Sequence, residues 1–215
     1  MSVVRLFLDT EFTSFNNPRL ISFALVAETG EALYLERSEG WTIEDCSAFV
    51  REAVLPLLGP LEGRATDSMI RWTIRSWIHS LGRPAMIYTD SLWHDEPAFM
   101  SLFTDRMYLW PGGLDQRFVE FNSPAVELAF ETKRLRRHQA LDDAIALKTA
   151  YLLEQEGPGS KALLPGDPDG LLNHTVRAAR YSRCASSHSL KAPTRALSVE
   201  GMALEYAPLP QEVGS

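Results

Sequence analysis

The chain has 215 residues with 21 basic and 28 acidic side chains, a net charge of −7, and it is 45% hydrophobic and 23% charged. These fractions exclude a disordered or collagen-like chain. The acidic balance speaks against coating duplex nucleic acid through a broad basic face, but not against acting on nucleic acid ends, because bound metal ions offset an acidic site.

Val3, Val4 and the run Leu6-Phe7-Leu8 predict a buried first strand that ends at Asp9. Residues 20–29, rich in Ile, Leu, Val and Phe, predict a second strand, and 32–35 a third. The tight link Thr29-Gly30-Glu31 makes that pair an antiparallel hairpin. Thr42, with Asp45 three residues on, predicts a capped helix over 42–57, its apolar positions Phe49, Val50, Ala53, Val54 and Leu57 at helical spacing. A second helix is predicted over 66–80, with Met69, Ile70, Thr73, Ile74, Trp77 and Ile78 on one side; Gly82 and Pro84 stop it. A fourth strand at 85–88, a helix around 96–108 and a weaker strand at 117–121 follow. Pro124 opens a helix that runs into the basic stretch Lys133 to Arg137, and a last helix covers 140–155.

This order predicts an α/β fold: a mixed sheet, antiparallel for three strands and then parallel, flanked by helices. Residues 1–156 form the expected domain. Residues 157–215 hold 6 of the 13 glycines and 6 of the 13 prolines and read as an irregular extension, with one short helix over 171–181. Two cysteines, Cys46 and Cys184, exclude a disulfide-dense secreted scaffold and favour a reducing, cytoplasmic setting. No apolar run approaches the roughly 20 residues of a membrane helix, so no membrane partner is expected. The stretch before Asp9 does not read as a signal peptide.

Acidic residues gather at three element ends. Asp9 and Glu11, in Asp9-Thr10-Glu11-Phe12-Thr13, fall on one side of a strand. Two carboxylates there imply a cation or a raised pKa. Asp90 and Asp95 follow the fourth strand; His138, Asp142 and Asp143 surround the start of the last helix. Taken singly, each has an ordinary reading: a polar strand end, a cap for Asp95, or dipole complements for Asp142 and Asp143 worth about 0.3–1 kcal/mol. Taken together, and without a cysteine cluster, hard oxygen ligands of this kind suit Mg²⁺ or Mn²⁺ rather than zinc.

At these residues the chain resembles the DEDDh branch of the DEDD superfamily of 3′→5′ exonucleases. Phe7-Leu8-Asp9-Thr10-Glu11-Phe12 is similar to the first motif of that branch. His138, four intervening residues and Asp143 are similar to the third. The second motif departs most. Asp90 and Ser91 stand where the family has His-Asn, His94 replaces an aromatic, and Asp95 takes the metal-binding position, with Asp90 as the alternative. The resemblance covers residues 3–154 and implies an RNase H-like fold.

It further implies two Mg²⁺ or Mn²⁺ ions about 4 Å apart, bridged by Asp9, with Glu11, Asp95 and Asp143 completing the site. His138 is implied as general base, and the product as a 5′-mononucleotide released from a 3′ end. Phe12 and Phe15 correspond to the family's base-stacking positions, although Phe12 reads equally well as core. Thr13, in the same segment, is counted with them among the substrate contacts. Arg136 and Arg137 could hold phosphates, or line a solvated helix face. Trp72, Trp77, Trp93 and Trp110 read as packing.

The expected partner is the 3′ end of a single strand, RNA favoured over DNA by family analogy; a homodimer is expected on the same ground. Two readings compete. One is a haloacid-dehalogenase-like phosphatase, which needs Asp where Glu11 stands and prefers a parallel sheet. The other is a non-catalytic nucleic-acid-binding domain.

Overall fold

The computed structural model describes residues 2–103 and 110–156. Five strands form one mixed sheet: β1 (Val4–Phe12), β2 (Leu20–Ala27), β3 (Ala32–Glu36), β4 (Ala85–Thr89) and β5 (Leu114–Glu120), in the spatial order β3-β2-β1-β4-β5. β1 pairs antiparallel with β2 and β2 with β3; β1 pairs parallel with β4 and β4 with β5. This is the expected α/β arrangement, and it is consistent with an RNase H-like fold. In the hairpin between β2 and β3, Gly30 donates to the Ala27 carbonyl at 2.9 Å from a φ of +113°, a conformation open to glycine.

The helices are α1 (Ala48–Ala53), α2 (Asp67–Ser80), α3 (Leu92–Met100), α4 (Ala125–Lys133) and α5 (Ala140–Glu156). Strand alternation divides the central strand β1 between two cores. Leu6 and Leu8 face α2 and α3, packing with Ile70, Ile74, Ile78 and Phe99. Phe7 faces the other way, against Leu147 and Tyr151 of α5. Both sides of β1 are therefore covered, which explains its unbroken apolar run. Each fully buried Leu or Phe contributes about 1.5–3 kcal/mol.

The predicted helix over 42–57 is broken into three pieces. The capping box forms, with the Thr42 amide donating to Asp45 Oδ2 at 2.8 Å, but it caps a single 3₁₀ turn, Ile43–Asp45. Ser47 then caps α1 anew by accepting from the Val50 amide at 3.2 Å, and Leu55–Leu57, holding Pro56, is a second 3₁₀ turn. On α2 the buried stripe is Ile70, Ile74 and Ile78, four residues apart; Met69 lies outside it, exposed. Trp77 and Trp110 pack against the core as expected, but Trp72 and Trp93 are exposed. α3 starts four residues earlier than predicted, because Ser91 rather than Asp95 precedes its first turn. The remainder of that predicted helix beyond 103, and the extension from 157, lie outside the described residues. No helix among the described residues is long and apolar enough to cross a membrane.

Candidate metal centre

The C-terminal ends of the parallel strands β1 and β4 point the same way, the usual place for a site in such sheets. β1 delivers Asp9 and Glu11 there. A register shift between Glu11 and Phe12 in the pairing with β2 bends the strand just beyond them. Thr10 faces the opposite side and meets α3. Its amide and hydroxyl donate to Asp95 Oδ1 at 3.2 and 2.6 Å, and the Thr89 hydroxyl donates to Asp95 Oδ2. Asp95 is thus a buried residue in the first turn of α3, clamped by two threonines that are themselves buried.

Asp143 arrives from the first turn of α5. It accepts from the Gln139 amide at 2.9 Å, while its own amide donates to the Gln139 carbonyl at 3.0 Å. Asp142 is engaged differently: its Oδ2 accepts from the amide and Nε of Arg136 at 3.0 and 2.9 Å.

The carboxylates converge as two triads that share one member. Asp9, Glu11 and Asp143 form the first; Asp9, Asp90 and Asp95 form the second. Within each, one oxygen per residue lies within 4.8 Å of the others. Sequence reasoning set Asp90 and Asp95 against each other as alternatives; the fold brings both to Asp9. The signal was in the strand pairing, since Asp90 directly follows β4, which runs parallel to β1.

Their acidities record this crowding. Burial, followed by the charges of Asp95, Asp143, Glu11 and Asp90, holds Asp9 well above the usual carboxylate range. Burial and then Asp143 and Asp95 push Glu11 up to about 8. Burial raises Asp95 to about 7 against the opposing hydrogen bonds from Thr10 and Thr89. It raises Asp143 to about 7 against the Gln139 amide. Asp90 is raised too, mainly by burial. A cation among these groups would relieve the repulsion, and an all-carboxylate donor set is hard in character. The cluster can therefore hold a metal ion.

His138 occupies the turn before α5 at a φ of +64°, and its ring stands edge-on to Phe49, 4.9 Å between centroids. Partial burial, then the charge of Arg137, lowers its pKa, which favours the neutral imidazole. Phe49 was expected in the core of a longer helix. It is instead exposed on the short α1 and touches this histidine. Nothing in the periodicity distinguished it.

Just past Glu11, Phe12 joins Phe15 and His94 in a three-ring cluster. His94 stacks on Phe12 at 5.6 Å and meets Phe15 edge-on at 4.9 Å; Phe12 and Phe15 are 5.4 Å apart. The Ser91 hydroxyl lies 2.8 Å from His94 Nδ1. Phe15 is 72% exposed, whereas Phe12 is partly buried against the core.

Thr13, expected with these rings, is fully buried. Its hydroxyl donates to the Asn17 carbonyl and accepts from the Arg19 amide, so it ties the β1–β2 loop and offers nothing to a ligand. Arg136 and Arg137 lie outside any helix. Arg136 pairs with Asp142, while Arg137 pairs with Glu127 and lies over the Phe130 ring at 4.2 Å. Both stay at the surface, within reach of solvent. Comparison with known proteins finds no family model that matches this chain and no match among curated proteins.

Proposed function

We propose that this chain is a metal-dependent 3′→5′ exonuclease that shortens single-stranded nucleic acid, RNA in preference to DNA, releasing 5′-mononucleotides. One observation carries the reading: two carboxylate triads joined at Asp9. The antiparallel start of the sheet weighs against the phosphatase alternative.

Asp9, Glu11, Asp143 and Asp95 would hold two Mg²⁺ or Mn²⁺ ions. Such ions supply activation of water and stabilisation of a leaving oxygen. The protein's own residues do the rest. His138 takes the proton of the attacking water as its oxygen bonds to phosphorus. The P–O3′ bond breaks; the leaving 3′ oxygen takes a proton from solvent to become the new 3′-hydroxyl of the shortened strand, His138 gives its proton up to solvent, and the phosphate stays on the 5′ oxygen of the released nucleotide. Thr10, Thr89 and the Gln139 amide fix the orientation of Asp95 and Asp143, so that little reorganisation is needed. Phe15 and its ring partners offer a face on which a terminal base can stack.

The test is incubation of RNA and DNA oligomers of equal sequence with Mg²⁺ or Mn²⁺, beside Asp9→Ala. Stepwise shortening from the 3′ end that chelator stops and the variant lacks is expected. A folded wild-type protein that shortens neither oligomer would sink the proposal.

A further inference from the structure

We infer that Ser22 is a positioning residue of the acidic centre: its buried hydroxyl stands beside Glu11 and holds that carboxylate in place when a cation is bound. This rests on reading the cluster as a metal centre.

The strand register puts Ser22 there. β1 and β2 pair with Glu11 opposite Ser22 and Asp9 opposite Ala24. Residues opposite one another in an antiparallel pair share a face of the sheet, with Cβ atoms about 4.5–5.5 Å apart. Along β2, Phe23 and Leu25 belong to the core beneath α2 and α3, whereas Ala24 and Val26 pack with Ala140 and Ala144 of α5. Alternation therefore gives Ser22 the α5 side of the sheet, the side of Asp9 and Glu11.

The bonding around Ser22 is a separate observation. Ser22 is 1% exposed, and its hydroxyl has no hydrogen-bond partner among the described residues. Leaving a buried donor unsatisfied costs about 1–3 kcal/mol. Its neighbour on β3, Glu36, is already engaged. The Glu36 carboxylate accepts from the Gly59 amide at 2.8 and 3.0 Å and from the Tyr34 hydroxyl at 2.8 Å, and it pairs with Arg64 Nε at 3.3 Å. The Tyr34 proton is spent in that contact. The acceptor left across the pairing is the carboxylate of Glu11, and a hydroxyl turns its one proton to suit. Asp95 and Asp143 have their orienting donors in Thr10, Thr89 and the Gln139 amide. Glu11 has a long side chain with much rotamer freedom to lose, and Ser22 is the donor the sheet sets beside it.

The experiment titrates the full chain with Mn²⁺ alone by calorimetry and melts it thermally in chelator. Wild type is compared with Ser22→Ala and Ser22→Thr. A partner that orients a metal ligand is worth about 10–100-fold in affinity. Ser22→Ala should therefore weaken Mn²⁺ binding by at least about ten-fold. In chelator the same variant should melt no lower than wild type, because the hydroxyl it loses is unsatisfied there. Ser22→Thr keeps the hydroxyl and should bind Mn²⁺ as wild type does. Unchanged affinity in Ser22→Ala would overturn the role of Ser22 and leave the metal centre standing. Weaker binding together with a lower melting midpoint in chelator would make Ser22 a structural residue and overturn the proposal as well. So would a threonine variant as weak as the alanine one. A wild-type protein that binds no Mn²⁺ would overturn the metal centre itself.

Discussion

Thr10 gives both its amide and its hydroxyl to one oxygen of Asp95, a residue 85 positions away in the chain. This links the strand that carries Asp9 and Glu11 to the helix that carries Asp95. Thr10→Val keeps the shape and removes the hydroxyl, leaving a buried carboxylate short of a donor. A stability loss of about 1–3 kcal/mol is expected. Urea unfolding at pH 8 measures it, and Thr10→Ser should recover most of the loss.

Asp9 stands in both triads, where its charge is opposed by four other acids. Asp9→Asn should therefore stabilise the metal-free protein while abolishing hydrolysis. A gain of about 1 kcal/mol would raise the thermal midpoint by about 2–4 °C. Added Mn²⁺ should then stabilise the variant far less than wild type. A lower midpoint in the metal-free variant would contradict the repulsion described above.

The raised carboxyls set the pH dependence of the metal-free protein. Glu11 near 8, with Asp95 and Asp143 near 7, binds protons more tightly in the folded chain than in the unfolded one. Their stabilising contribution is complete below about pH 4, the unfolded carboxylate range, and is lost as pH rises through 7 to 8. Thermal melts in chelator should therefore show this contribution falling between pH 5 and pH 8. Divalent metal should oppose the loss, with its largest effect at the upper end. The difference between wild type and Asp9→Asn across that range isolates the cluster from other titrating groups.

His138→Ala removes the proposed base without touching a carboxylate. Turnover should fall by about 10²–10⁴-fold, with Mn²⁺ affinity unchanged. Loss of metal binding in that variant would make the histidine a ligand instead.

Phe15 is exposed, so Phe15→Ala should leave the thermal midpoint unchanged. Base stacking contributes about 1–3 kcal/mol. A KM for a single-stranded oligomer raised about ten-fold, with kcat little altered, is the expected result.

The order of elements was legible in the sequence because each carried its own local signal. Gly30 marked the hairpin, Gly82 and Pro84 marked the end of α2, and Ile70, Ile74 and Ile78 repeated at helical spacing. Asp9, Glu11 and Asp143 were legible as strand and helix termini. Three features were not. Ser47 breaks the predicted long helix because a serine cap competes with continuation, a choice that local propensity leaves open. Thr13 lies beside Phe12 in sequence but is turned inward by bonds to Asn17 and Arg19, which only the loop's closure creates. Asp90 reaches Asp9 together with Asp95; the parallel pairing of β1 and β4 was expected, but which acid after β4 it would bring to Asp9 is set by the turn into α3, not by a local pattern.

Asp143 sits on α5, the last helix described, and α5 packs on Phe7, Ala24 and Val26 near the beginning of the chain. During synthesis the first strands leave the ribosome long before their cover does. The nascent chain thus carries Asp9 and Glu11 without their third carboxylate until residues 140–156 have emerged. The acidic centre is completed late, when the helix that finishes the sheet's second face closes over it.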